Sequence, residues 1–428
     1  MSAPRGPLPG FRDFYPVEMA ERQYLMARWR DVARRYGFVE YDGPPLEPLE
    51  LYTKKSGDEI VGQLYAFKDK GNRDVALRPE MTPTLARMVG ARANAMRKPI
   101  RWFSTPQLFR YERQQRGRLR EHFQLNVDII GEADVTADAE LLAVAIDVMR
   151  SFGLTSDDVR ARVSDRRLLE ALLRIAGVET SQLPTVYAVV DKMEREPRAS
   201  LERKLADAGF AEVGIARIFE VLQSRDLESL RQEHGARPEL RDDFARLARY
   251  FECLAALGVG EWVQFDLSIV RGLAYYTGIV FELFDARGEM RAICGGGRYD
   301  NLLGALGGVD LPALGFGMGD VVLSDLLRTR GLMHTDQRPL DVWIAFSEDG
   351  GLPTALRVAS SLRERGRAVE YSLGGQKLAR QLKAADTAGA AQVLIVGTPD
   401  VAPGDAILKR LSDGHEERVR LAEWIERQ

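Results

Sequence analysis

Residues Phe109 to Ile130 read FRYERQQRGRLREHFQLNVDII, and the fold of this chain is decided by how that stretch is read. Between Phe109 and Gln124 it places five arginines and two glutamates on what reads as one short hairpin with its loop at Gly117. A guanidinium is planar, permanently charged and able to grip phosphate or carboxylate oxygens in pairs, so such a hairpin suits polyphosphate or nucleic acid. A solvated surface hairpin gives the same charge pattern.

Beyond the loop the pattern alternates. Leu125, Val127 and Ile129 fall on one face, and Gln124, Asn126 and Asp128 on the other. That period predicts a half-buried strand. An amide and a carboxylate beside Arg110 and Glu112 are the groups needed to orient an amino acid against ATP, although a solvated edge strand would carry them too.

Working outward, 428 residues with 45% hydrophobic content suffice for several domains with sizeable cores. The 60 basic and 63 acidic side chains nearly cancel, to a net charge of −3, so a nucleic-acid partner must be held by local basic surfaces. Cys253 and Cys294 are the only cysteines, and four histidines accompany them without metal-ligand spacing. That usage argues against a disulfide framework and points to a reducing cytoplasm. The opening MSAPRGPLPGF has no signal-peptide core, and no apolar run approaches membrane-spanning length, so no membrane partner is expected.

Pro16 to Tyr36 reads as an amphipathic helix that includes Met19, Met26 and Trp29 and stops near Gly37. A short strand and a turn rich in proline (Pro44, Pro45, Pro48) follow. Strands are expected at Leu64 to Phe67, Val75 to Leu77, Ile100 to Phe103, Leu125 to Ile130, Val263 to Ile269 and Ile279 to Phe284. Together they predict an α+β fold whose mixed, largely antiparallel sheet carries helices. The expected division is a catalytic domain over 1–163 and 261–335, interrupted by a helical insertion over 164–260, and a small α/β domain over 336–428. The last reads as βαβαβ, from LDVWIAFS to QVLIVG; the basic side chains on its helices could face RNA or water.

Four stretches in order, LRPEMT ending at Thr82, the Phe109 hairpin, RGLAYYTG from Arg271 and GGGRYDNLLG from Gly295, resemble histidyl-tRNA synthetases, which have the class II aminoacyl-tRNA synthetase fold. The similarity runs nearly end to end and implies an anticodon-binding carboxy-terminal domain. By this resemblance Arg110 contacts the reacting carboxylate and α-phosphate, with Glu112 beside the adenine. Arg113, Gln115 and Arg116 meet the tRNA acceptor end. Glu80 binds the α-ammonium of histidine, and Met81, Thr82 and Gln124 belong to the same pocket. Arg271 supplies a second cation, while Tyr275, Tyr276 and Tyr299 line the histidine site. Asp128 stands where the family has a glutamate on the imidazole.

Each stretch also has a plainer reading. Pro79 and Glu80 can simply start a helix, YYTGIVFELF can be an aromatic-rich core strand, and the three glycines from Gly295 can form a tight turn. A regular strand puts Arg271 and Tyr276 on opposite faces, so a bend near Gly272 is expected.

The chain departs from the family pattern at two places. Ala274 replaces the aspartate of RGLDYY, and GFGMGDVV, Gly315 to Val322, replaces GFxxGLER, so the arginine on the ATP γ-phosphate is missing. Arg118 and Arg120 are candidate substitutes. A variant branch of these synthetases is similar at both places. The resemblance implies a homodimeric cytoplasmic ligase using ATP, with Mg2+ on ATP and pyrophosphate, to join L-histidine to tRNA(His). The alternatives are the histidine-sensing regulatory subunit of ATP phosphoribosyltransferase, which does not charge tRNA, and an RNA-binding module on the same fold.

Overall fold

The computed structural model describes residues 6–53, 61–112, 117–190, 192–193, 196–269, 276–288, 290–334, 340–347 and 351–428. The chain separates into two compact units, Met1–His334 and Thr335–Gln428.

In the first unit the predicted amino-terminal helix runs Pro16–Arg35 and buries Leu25, Trp29, Val32 and Ala33. Gly37 ends it with φ +76°, its N–H reaching Arg34 O at 2.9 Å and that of Phe38 reaching Ala33 O at 3.1 Å. A side chain at that left-handed position would be strained, which is why glycine closes the helix.

The strands of this unit are β1 (Val39–Glu40), β2 (Leu46–Pro48), β3 (Tyr65–Lys68), β4 (Asp74–Leu77), β5 (Ile100–Ser104), β6 (Gln107–Phe109), β7 (Glu121–Ile130), β8 (Val159–Asp165), β9 (Val263–Phe265), β10 (Ile279–Asp285), β11 (Cys294–Arg298) and β12 (Ala313–Gly319). A nine-stranded sheet has the order β1-β5-β7-β12-β11-β10-β8-β9, with β6 paired to β7. Its pairs are antiparallel except β1 with β5 and β8 with β9. A separate antiparallel sheet has the order β2-β4-β3. The α+β architecture with a mostly antiparallel sheet is thus present.

The alternation read in β7 is real, but the strand is not half-exposed. Leu125, Val127 and Ile129 join the core under the helices Pro16–Arg35 and Val135–Ser151. Asn126 and Asp128, on the other face, are only 6% and 5% exposed. The polar face is enclosed in a cavity rather than turned to bulk water.

Two strands escaped the sequence reading because glycine disfavours strands. The glycines from Gly295 lie in β11, not in a tight turn, and three of the seven residues of β12 are glycine. Close approach explains both: a Cβ on Gly296 would sit 2.6 Å from Gly315 O, and one on Gly315 would sit 2.1 Å from Asp128 Oδ1. β8 was also missed. Its last residue, Asp165, accepts the N–H groups of Arg167 at 2.8 Å and Leu168 at 3.0 Å, starting a helical run that extends to Trp262. The strand expected to reach Ile269 stops at Phe265, because Asp266 folds back to accept Ser268 N at 2.9 Å and Ser268 Oγ at 2.6 Å.

The second unit begins as predicted, with β13 (Val342–Phe346), helix Leu352–Glu364, β14 (Val369–Tyr371), helix Leu378–Thr387 and β15 (Gln392–Val396). A hairpin of β16 (Asp405–Arg410) and β17 (Glu416–Arg420) extends the sheet to the order β14-β13-β15-β16-β17. Both faces of its parallel centre are covered: Ile344, Leu394 and Trp424 pack on one side, and Trp343, Ala385 and Val393 on the other.

Candidate active site

A cavity of about 250 Å³ opens on the polar face of β7. It brings together Glu80, Thr82, Arg110, Gln124, Asp128, Tyr276 and Tyr299, which the sequence spreads over more than two hundred positions. Glycine makes room for them. Gly315 is the register partner of Asp128 on β12, and a Cβ on Gly317 would lie 2.8 Å from the Gln124 amide carbon. Both polar side chains of β7 therefore lie across bare backbone of the next strand.

At one end the Tyr299 hydroxyl donates to Asp128 Oδ1. Burial pushes the Asp128 carboxyl up to about 7, with the tyrosine hydrogen bond opposing part of that rise. Burial also raises the hydroxyls of Tyr276 and Tyr299, so both stay neutral donors. The two rings are 6.5 Å apart between centroids. Their backbones are stitched together: Thr277 N donates to Arg298 O at 2.7 Å, and Asp300 N donates to Thr277 Oγ1 at 3.1 Å. Behind them Arg298, 5% exposed, holds Asp138 and donates to Glu132 O at 2.9 Å. Glu80 comes just before helix Thr82–Arg92, so it both precedes a helix and lines the cavity.

Arg110, Gln124, Gly295 and Gly317 also line a second cavity of about 790 Å³. Arg110 Nε donates to Pro79 O at 2.9 Å, which aims the guanidinium at the junction of the two spaces. Glu112 stands 3.9 Å from Arg110 and 2.9 Å from Arg118. Arg162, whose guanidinium lies 4.4 Å over the Phe284 ring, and Arg291 line other walls. Burial first, and then the charges of Arg110 and Arg12, lower the His122 imidazole to about 3, so it is neutral here. The cavity is accordingly electropositive, suited to a polyanion.

Several expectations land elsewhere. Met81, 1% exposed, is packed against the Gly43 segment and does not line the small cavity. Arg120 stacks 4.1 Å over Tyr111 and is not part of the large cavity, whereas Arg118 is. Arg113, Gln115, Arg116, Arg271 and Tyr275, with the bend expected at Gly272, lie outside the described residues. The sequence reading missed Glu282 and Phe316 in the small cavity, and His122, Arg162 and Arg291 in the large one. Glu282 had a signal: it is a lone carboxylate inside the apolar run IVFELF. Arg291, in the connection between β10 and β11, had none.

Asp320, where GFGMGDVV leaves the family pattern, is 4% exposed and pairs with Arg12 at 2.9 Å while accepting Phe123 N at 2.9 Å. Val321 and Val322 face the large cavity in its place. Among the described residues no three His, Cys, Asp or Glu side chains gather as a metal site, and no helix is long and apolar enough to cross a membrane.

The histidyl-tRNA synthetase family matches residues 10–320, and an anticodon binding domain matches residues 342–427. A histidine-tRNA ligase of Opitutus terrae is 43% identical over 415 residues, covering 96% of this chain and 95% of that protein. The chloroplastic/mitochondrial histidine-tRNA ligase of Arabidopsis thaliana is 40% identical over 97% of this chain and 85% of its own. The crystal structure of histidyl-tRNA synthetase from Nostoc sp. PCC 7120 superposes with a TM-score of 0.83 at 25% identity, covering both chains fully. A Bacillus halodurans C structure described as an ATP phosphoribosyltransferase regulatory subunit/histidyl-tRNA synthetase shares the fold, with a TM-score of 0.76 at 22% identity over 93% of this chain and 99% of that one. Sequence kinship that runs the length of the chain, over a sheet of the same topology, makes this protein a member of the histidyl-tRNA synthetase family.

Proposed function

We propose that this chain is a histidine-tRNA ligase of the variant branch, activating L-histidine with ATP and passing it to tRNA(His). One observation carries the reading at the level of chemistry: a small pocket with carboxylates at separate places meets a larger arginine-lined cavity at Arg110 and Gln124. Glu80 takes the α-ammonium of histidine, assisted by Thr82 and Gln124, and Asp128 takes the imidazole N–H. A buried acceptor of this kind rejects apolar side chains of similar size, because they leave it unpaired. Tyr299 and Tyr276 shape the pocket between these ends. Met81 holds the Glu80 segment from behind.

In this arrangement the histidine carboxylate points at the junction. Its oxygen bonds to the α-phosphorus of ATP as the bond to the pyrophosphate oxygen breaks, giving histidyl-adenylate. Both reactants are anionic, so cations, Arg110 at the junction and Arg271 by the family resemblance, accelerate the step more than a general base would. Glu112 orients the adenine. The terminal ribose hydroxyl of tRNA, guided by Arg113, Gln115 and Arg116, then attacks the acyl carbon; AMP leaves, and the hydroxyl proton departs with it or to water. Mg2+ bound with ATP would supply charge neutralisation at the phosphate oxygens. The catalytic unit spans 1–163 and 261–335 around the insertion at 164–260, with the anticodon-binding unit at 336–428. The protein works as a cytoplasmic homodimer with two-fold symmetry.

Histidine-dependent exchange of labelled pyrophosphate into ATP tests the reading. Exchange by the purified protein is the expected result. Histidine binding without exchange would favour the regulatory-subunit alternative.

A further inference from the structure

We propose that Arg291 holds the terminal phosphates of ATP, replacing from the connection between β10 and β11 an arginine that the helix Asp320–Thr329 does not supply. The inference rests on the ATP reading above. The small pocket meets the large cavity at Arg110, so the α-phosphate lies at that junction and the remaining phosphates extend into the larger space. There the start of the helix Asp320–Thr329 presents Val321 and Val322, aliphatic groups that leave phosphate charge unbalanced. The one carboxylate nearby in sequence, Asp320, is buried against Arg12.

Arg291 faces the same place from the connection between β10 and β11. A methyl-sized probe on Gly117 would touch Val322 Cγ2 at 3.3 Å and the Arg291 Cδ at 3.8 Å, so the valine and the arginine stem flank one point of the wall. The connection is tied down at its base. Asp285, the end of β10, accepts Arg330 Nη2 at 2.7 Å and the Arg287 N–H at 3.3 Å, and Ile293 N donates to Leu283 O at 2.8 Å. An exposed arginine on a connection anchored at its base keeps its guanidinium within reach of the cavity. The two candidates from sequence lie elsewhere: Arg120 is stacked on Tyr111 outside the large cavity, and Arg118 stands at Glu112, which is 3.9 Å from Arg110, on the side of the cavity next to the junction. In the reaction Arg291 stays bonded to the phosphates that leave, so it stabilises pyrophosphate as the α-phosphorus bond to oxygen breaks.

The test measures binding of inorganic pyrophosphate by calorimetry and the KM values for ATP and histidine in exchange, on full-length protein. Arg291→Ala is expected to weaken pyrophosphate binding and raise the ATP KM by about tenfold or more, the usual loss for a charge-assisted contact, with the histidine KM unchanged. Arg291→Lys should retain part of the affinity. Adding Val322→Arg to Arg291→Ala should recover it, because the charge returns beside the same point of the cavity wall. Unchanged pyrophosphate affinity in Arg291→Ala, or equal loss of histidine and pyrophosphate, overturns the proposal. If the parent protein binds pyrophosphate through Arg291 but catalyses no exchange, the ligase reading fails and this site stands.

Discussion

The small pocket and the large cavity share Arg110, yet they are made from different material. The small one sits largely on β7, β10, β11 and β12, where Gln124 and Asp128 are fixed by strand register and lie across bare glycine backbone. The large one is walled mainly by connections, the hairpin around Gly117 and the segment between β10 and β11. The difference follows from what each must recognise. An imidazole is selected by one hydrogen-bond acceptor at a fixed place, which tolerates little displacement. A polyphosphate is held by Coulomb attraction and long flexible cations, so an arginine can migrate from one wall to another and still serve.

Mutation can break this contrast, starting where the two spaces meet. Arg110→Ala should lower the rate of adenylate formation on the order of a thousandfold, with a much smaller change in histidine affinity, as expected for a cation used in the transition state. Single-turnover rates beside equilibrium histidine binding check it, and equal losses would place Arg110 in ground-state binding alone.

Gly315→Ala tests the rigid side. The new methyl must displace the Asp128 carboxylate, so the histidine KM should rise about a hundredfold while pyrophosphate binding is kept. If both ligands suffer alike, the strand has been disrupted rather than the pocket.

Asp128→Asn keeps the shape and removes the charge. A loss of about tenfold to thirtyfold in histidine affinity is expected, the cost of one charge-assisted hydrogen bond, with discrimination against asparagine and glutamine falling in parallel. Competition binding with those amino acids measures it; unchanged discrimination would remove Asp128 from recognition.

The smallest effect is on pH. Burial raises Asp128 to about 7, so below that pH the carboxyl is protonated and loses its acceptor charge, and above it the carboxylate is present. Histidine KM should therefore fall as pH rises from 6 to 8, by at most about tenfold per unit. In Asp128→Asn the dependence should shrink to that of free histidine. A profile identical in the two proteins would exclude this titration.

The amino-terminal helix, the alternation of β7 and the βαβαβ start of the second unit could be read in advance because each is a local matter of periodicity and stop signals. Motif resemblance likewise placed Glu80, Arg110, Asp128 and Tyr299 among the site candidates before any geometry. Three things were not legible. Gly295 to Gly297 and the glycines of β12 have no strand signal of their own, since their purpose is the side chains of the neighbouring strand. Asn126 and Asp128 read as the polar face of a half-buried strand, with a solvated edge left open, because burial by another element leaves no local trace. Arg291 carries no pattern at all, and its meaning comes from standing beside Val322, a residue from a different segment of the chain. Sequence by itself therefore determined the elements and the chemical types at hand. Only the tertiary structure decided which charges share a cavity, because that depends on sheet register and on contacts between segments remote along the chain.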